Sequence, residues 1–230
     1  MIVLREVPPW LGPALVALWL SLLAVLAKVV QQRWPDQPEW SRKLVHIGSG
    51  PVVLLAWWFG IDRAIALPVA GLVTLVAALN HRLRLLPGIE DIDRHSYGTI
   101  AYGASITLLF GLLWPERSQA MTAGVLVMAF GDGLAGLVGP LVRSPRWQVF
   151  GQTRSLAGTA AMGVSSALVL LAIAALQPAT APPTWALLTI AAVATALEQW
   201  ATAGVDNLTV PLVVAGLWWW LASSPSLLPA

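Results

Sequence analysis

Residues 156–176 contain no Asp, Glu, Lys, Arg or His, and residues 11–30 contain only Lys28. A helix of roughly 20 residues crosses the ~30 Å hydrocarbon core of a bilayer. In water, stretches this long and this apolar would leave large hydrophobic patches exposed. The remainder of the chain agrees: only 10% of its 230 residues are charged and 57% are hydrophobic, whereas soluble domains carry roughly 25% charge. The sequence therefore predicts one integral membrane domain over 1–230, all-α and polytopic, with the lipid bilayer as its first partner. A net charge of +2 argues against a nucleic-acid partner. With no Cys, the chain has no disulfide, thiolate nucleophile or Cys-ligated metal.

Apolar segments near 11–30, 44–60, 62–79, 98–114, 119–139, 156–176, 184–201 and 208–222 predict about eight transmembrane helices, some broken near the cytoplasmic face. Seven is the alternative, because Glu198 closes the seventh segment and Pro211 interrupts the eighth. The first run is too long for an ordinary signal peptide and has no small-residue cleavage site before Lys28. Basic residues fall unequally between the connections. Lys28, Arg33, Arg42, Lys43, Arg82, Arg84, Arg94, Arg143, Arg146 and Arg154 lie on one side, against Arg5, Arg63 and Arg117 on the other. That bias makes the first side cytoplasmic. With eight helices both termini lie opposite. The Trp residues, Trp218, Trp219 and Trp220 above all, read as interface anchors.

In a chain this poor in charge, polar clusters beside apolar runs are candidate sites. Arg42, Lys43 and His46 stand at the entrance of the second segment. The plainer account has both cations snorkelling to headgroups; the functional one has the trio holding phosphate. Asp91, Asp93, Arg94, His95 and Ser96 precede the fourth segment, where a solvated loop competes with an anion site at a helix start. Asp132 lies about two turns inside the fifth segment, a costly place for an unpaired carboxylate. Gly131, Gly133, Gly136 and Gly139 surround it, which permits either close helix packing or close approach of a ligand.

Arg154, Ser155 and Gly158 form a basic, hydroxyl-bearing turn at a helix start. An arginine fork can meet two phosphate oxygens there, although a simple cap also explains the turn. No GxxxxGK[ST] phosphate loop exists in the chain. Glu198, Asp206 and Asn207 close the series, with Asn207 open to a plain N-cap reading. Asp132, Glu198 and Asp206 together are a carboxylate set suited to Mg²⁺ held against phosphates.

Taken in order, four segments resemble the phytol kinase and dolichol kinase family of polyprenol kinases, the phytol kinase branch most closely. They are Arg42-Lys43-Leu44-Val45-His46, Gly131 to Gly139, Thr153-Arg154-Ser155-Leu156-Ala157-Gly158-Thr159, and Gly204-Val205-Asp206-Asn207-Leu208-Thr209-Val210-Pro211. The resemblance implies transfer of a phosphoryl group from CTP, with ATP or UTP as alternatives, to a membrane-dissolved isoprenoid alcohol such as phytol or geranylgeraniol. A phytol substrate would connect the chain to tocopherol biosynthesis. Catalytic roles then fall to Asp132, Arg154 and Asp206, and Mg²⁺ ligation to Asp132, Glu198 and Asp206. Nucleotide binding falls to Arg42, Lys43, His46, Gly131, Gly133, Gly136, Ser155, Gly158 and Asn207. Two departures stand out. The family's lysine is Arg154 here, and the Glu usual two residues after the serine is Ala157, leaving Glu198 as the carboxylate available to replace it.

Two rivals use the same residues. A CTP-dependent lipid cytidylyltransferase would release pyrophosphate and would need further cations for a lipid phosphate. An ion-coupled transporter would explain a buried Asp132, but it calls for polar groups at mid-membrane and a second gate, whereas the clusters here gather on one side.

Overall fold

The computed structural model describes residues 7–83 and 97–223. Helix α1 (Leu11–Arg33) leads to α2 (Pro38–Ser49), whose first residue is a proline, the one residue that gives up no hydrogen bond at a helix start. The chain then turns at Gly50 and Pro51 into the seven-residue α3 (Val52–Trp58), and Gly60, at φ 58°, takes the left-handed conformation that ends this turn. Helices α4 (Arg63–Leu83) and α5 (Gly98–Leu113) pack along each other, and Gly103 lets α5 approach Thr74 closely.

The centre of the fold is one continuous helical stretch. It comprises α6 (Ser118–Leu126), a π-helical turn (Val127–Asp132) and α7 (Gly133–Leu141). Every residue of α6 is buried. Around this stretch pack α2, α5, α8 (Leu156–Leu176) and α10 (Asp206–Ala222), and α9 (Thr184–Trp200) fills the space beside α8 and α10. A small hairpin, β1 (Arg146–Val149) and β2 (Gln152–Ser155), precedes α8. Phe150 and Gly151 at its tip both have positive φ, as a tight two-residue hairpin turn requires.

The helical class expected from sequence holds, and the membrane association with it, but the expected count of about eight transmembrane helices does not. Among the described residues only four helices are long and apolar enough to cross a membrane: Leu11–Arg33, Arg63–Leu83, Ser118–Leu141 and Leu156–Leu176. The reason lies in breaks that an apolar run conceals. The stretch 44–60 is cut at Gly50 and Pro51 into α2 and α3. Helices α5, α9 and α10 stand where the sequence places separate segments, but with 16, 17 and 17 residues they are shorter than the roughly 20 that a full crossing takes. The placement of both termini on one side rested on the count of eight and falls with it. The aromatic anchors also divide: Trp219 and Trp220 are exposed as expected, but Trp218 is buried in the core.

Candidate functional site

The π-helical turn shapes the centre of the site. Widening one turn of a helix shifts its hydrogen-bond register and makes carbonyls available to other groups. Here two of them accept from α2. His46 Nε2 lies 3.3 Å from the Met128 carbonyl oxygen, and Lys43 Nζ donates to the Asp132 carbonyl at 3.1 Å. The Asp132 side chain at the end of the same turn completes the arrangement. Lys43 Nζ is 2.7 Å from its Oδ2, and His46 Nε2 is 3.3 Å from that oxygen. Both neighbours of His46 Nε2 are acceptors, so this nitrogen carries the ring's proton.

Lys43, His46 and Ile47 share one face of α2 because they are three and four residues apart. That face lies against α7, and glycine makes the contact possible. A methyl group at Gly136 would occupy the place of the Lys43 side chain, its Cβ 2.7 Å from Nζ, and one at Gly133 would collide with Ile47. Gly131 does the same on the opposite side, where Met162 and Ser166 of α8 press in, and a Cβ at Gly158 would stand 3.2 Å from the Ala135 carbonyl at the α7–α8 crossing. These glycines are where helices meet closely.

A second group of charges converges from β2, α9 and α10. The Arg154 guanidinium forms an ion pair with Glu198 through Nη1 and donates from Nη2 to the carbonyls of Glu198, at 2.7 Å, and Ala201, at 3.0 Å. One arginine thereby caps the C-terminus of α9, where carbonyls lack helical partners, and fixes the carboxylate that projects from it. Gln199 Nε2 donates to the other Glu198 oxygen at 2.8 Å. Asp206 opens α10 and accepts from the Asn207 backbone at 3.1 Å and from its side-chain amide at 3.3 Å. A negative charge is favoured at that helix end.

The two groups meet. Carboxylate oxygens of Asp132, Glu198 and Asp206 all lie within 4.8 Å of one another. Asp132 has Lys43 as its counter-ion and Glu198 has Arg154; among the described residues no cation pairs with Asp206. Burial raises the Asp206 pKa above the ordinary carboxylate range, and the charge of Asp132 raises it further. Three carboxylates so close, two of them buried and Asp132 partly so, repel one another unless a proton or a cation joins them. Hard oxygen donors in this number suit Mg²⁺, which takes a few carboxylates and completes its shell with phosphate oxygens and water. The donor set fits that ion.

Other expected site residues have quieter roles. Arg42 pairs with Glu39 at 2.6 Å and contacts none of the three carboxylates. Ser155 caps α8 by accepting from Gly158 N at 3.1 Å, and Ala157 N donates to the Ser144 hydroxyl. Residues 91–96, including Asp91, Asp93 and Arg94, lie outside the described residues. The sequence reading missed Tyr102, whose ring packs on His46 with centroids 4.6 Å apart. The available signal was its rarity, since the chain has two tyrosines and this one lies inside an apolar run.

No family model and no solved structure matches the chain. A phytol kinase of Synechocystis sp. is 38% identical to it over 214 residues, 92% of each chain.

Proposed function

The chain belongs to the phytol kinase family and is a phosphotransferase with an alcohol as acceptor; from that premise we propose phytol or geranylgeraniol as the acceptor and CTP as the donor. ATP and UTP are the alternative donors. The observation that carries the reading is the carboxylate trio, with Lys43 on one flank and Arg154 on the other. Phosphoryl transfer needs charge neutralisation and in-line positioning more than covalent help from the protein.

In this scheme Asp132, Glu198 and Asp206 hold Mg²⁺, which neutralises the donor's phosphates when bound. Lys43 and Arg154 supply the remaining positive charge. The alcohol oxygen attacks the γ-phosphorus, the bond from that phosphorus to the bridging oxygen breaks, and CDP leaves. The hydroxyl proton passes to Asp132 or Asp206. The hydrocarbon tail stays between helices, so the product remains in the bilayer.

The centre belongs to the basic, cytoplasmic side. The reading is supported by Arg33 and Arg82 in the last turns of α1 and α4, and by Lys43 and Arg154, which pair with the carboxylates themselves. Arg63 is bridged to Glu116, beside Arg117, at the other end, 3.0 Å apart.

The test is transfer of label from the γ-phosphate of CTP, ATP or UTP to phytol or geranylgeraniol, using purified protein in lipid with Mg²⁺. Labelled isoprenyl monophosphate, lost in Asp132→Asn, is the expected result. Absence of transfer from every donor to every alcohol would sink the proposal, and release of pyrophosphate instead of CDP would replace it with nucleotidyl transfer.

A further inference from the structure

Tyr102 is buried, with 7% of its surface exposed, and it stands one side chain away from the carboxylates. Its ring packs on His46, and His46 Nε2 lies 3.3 Å from Asp132 Oδ2. Its hydroxyl, however, makes no hydrogen bond of good geometry among the described residues. The Ser49 hydroxyl beside it donates to the His46 carbonyl at 3.0 Å; its oxygen still has lone pairs to accept with, yet no aligned hydrogen bond joins it to the phenol. A buried hydroxyl without a partner is unfavourable, and a phenylalanine would pack here without that penalty. The group is placed for a partner that arrives from outside the chain.

The chemistry of the surroundings selects that partner. Asp132 is approached from two sides. Arg154, Glu198 and Asp206 come from β2, α9 and α10, a charged side suited to a triphosphate. Lys43 and His46 come from α2, and Tyr102 reaches this side from α5, as part of the same hydrophobic cluster as Leu109, Phe110 and Ala129. A triphosphate at Tyr102 would bury its charges among apolar side chains. An alcohol on a long hydrocarbon chain has one hydroxyl to pair and a tail that belongs among such residues. Helices α4 and α5 also present apolar side chains outward, Leu72, Val76, Leu108 and Leu112 among them, where a lipid-dissolved molecule would first arrive.

We infer that Tyr102 binds the acceptor alcohol, its phenol donating to the alcohol oxygen and holding it beside His46 and Asp132. The inference rests on the alcohol-kinase reading and assigns the acceptor's half of that site.

The test uses Tyr102→Phe in lipid nanodiscs, which keeps the ring and removes the hydroxyl. Loss of one neutral hydrogen bond corresponds to about a three- to tenfold rise in KM for phytol, with KM for the nucleotide unchanged. Equilibrium binding of phytol is compared with that of phytene, the hydrocarbon that lacks the hydroxyl. Wild-type protein should prefer the alcohol, and the variant should lose that preference by the same factor while binding phytene equally well. Tyr102→Leu, which also removes the packing on His46, should lower kcat in addition. An undiminished preference for the alcohol in Tyr102→Phe, or an equal rise in KM for the nucleotide, overturns the inference. If wild-type protein transfers no phosphate to any alcohol, the kinase reading has failed, and the phytol–phytene comparison still decides the role of Tyr102.

Discussion

Helices α1 and α4 and the central stretch Ser118–Leu141 are all long and apolar enough to cross a membrane, yet they occupy opposite environments. Only Gly12 and Leu23 are buried in α1, and only Ala66 and Asn80 in α4. All of α6 is buried. Side-chain size separates them better than apolarity does. The central stretch carries glycines at 124, 131, 133, 136 and 139 and alanines at 120, 123, 129 and 135, whereas α1 turns Leu18, Leu22, Val25, Leu26 and Val29 outward. Lipid is as apolar as leucine, so transfer from water cannot sort helices inside a bilayer. Close packing of small residues and hydrogen bonds can. The inner stretch is also where the fold tolerates a carboxylate, because neighbours approach near enough to pair it.

The comparison is challenged most strongly at Asp132. Asp132→Asn should reduce phosphoryl transfer by about a hundred- to a thousandfold, the scale associated with losing one preorganised electrostatic contact in the transition state. It should also destabilise the fold by about 3–5 kcal/mol, since Lys43 is then buried without its partner. Adding Lys43→Met should restore most of the thermal stability and none of the activity. If Asp132→Asn alone leaves the melting temperature unchanged, the inner stretch is more hydrated than its packing implies.

A smaller effect is expected within α8, which has one face of each kind. Leu170 is fully buried and Leu168 is 62% exposed, two residues apart. Leu170→Ala should cost about 2–5 kcal/mol through the cavity it leaves. Leu168→Ala should change stability by less than about 0.5 kcal/mol, as lipid chains fill the space. Denaturation in mixed micelles measures both, and equal losses would mean that the outer face is covered by protein.

Much of the candidate site was legible because charge is so scarce in this sequence. Asp132, Glu198 and Asp206 could be grouped as candidate cation ligands from their position beside apolar runs, and the structure brings their oxygens within 4.8 Å. Their partners were not legible. Lys43 and Asp132 are 89 residues apart, and nothing local shows that Gly136 exists opposite the lysine's path. The π-helical turn leaves no mark in composition, so His46 could be placed near a phosphate or a helix face but not on the Met128 carbonyl. Helix lengths misled for a related reason. Hydropathy averages over Gly50 and Pro51, where two short helices meet, whereas the break between α9 and α10 was legible and only their 17-residue lengths fall short of a full crossing. Trp218 shows the same limit: three consecutive tryptophans look alike in sequence, but helical rotation turns one into the core and leaves two outside.

The finest test sets two glycines against each other, one inside and one outside. A Cβ at Gly124 would run into the Pro211 carbonyl of α10, a backbone atom that cannot rotate away. Gly124→Ala should therefore push α6 and α10 apart and cost about 1–3 kcal/mol. Gly216, on the exposed face of α10, has nothing within 4 Å of the same position. Gly216→Ala should instead stabilise by about 0.5–1 kcal/mol, because alanine loses less backbone entropy than glycine on entering a helix. Opposite signs in thermal denaturation would show that the small residues of the central stretch are spacers set by contact with α10. The same sign for both would mean that glycine serves there only to loosen the helix, and packing distance would lose its place as the property that separates inner helices from outer ones.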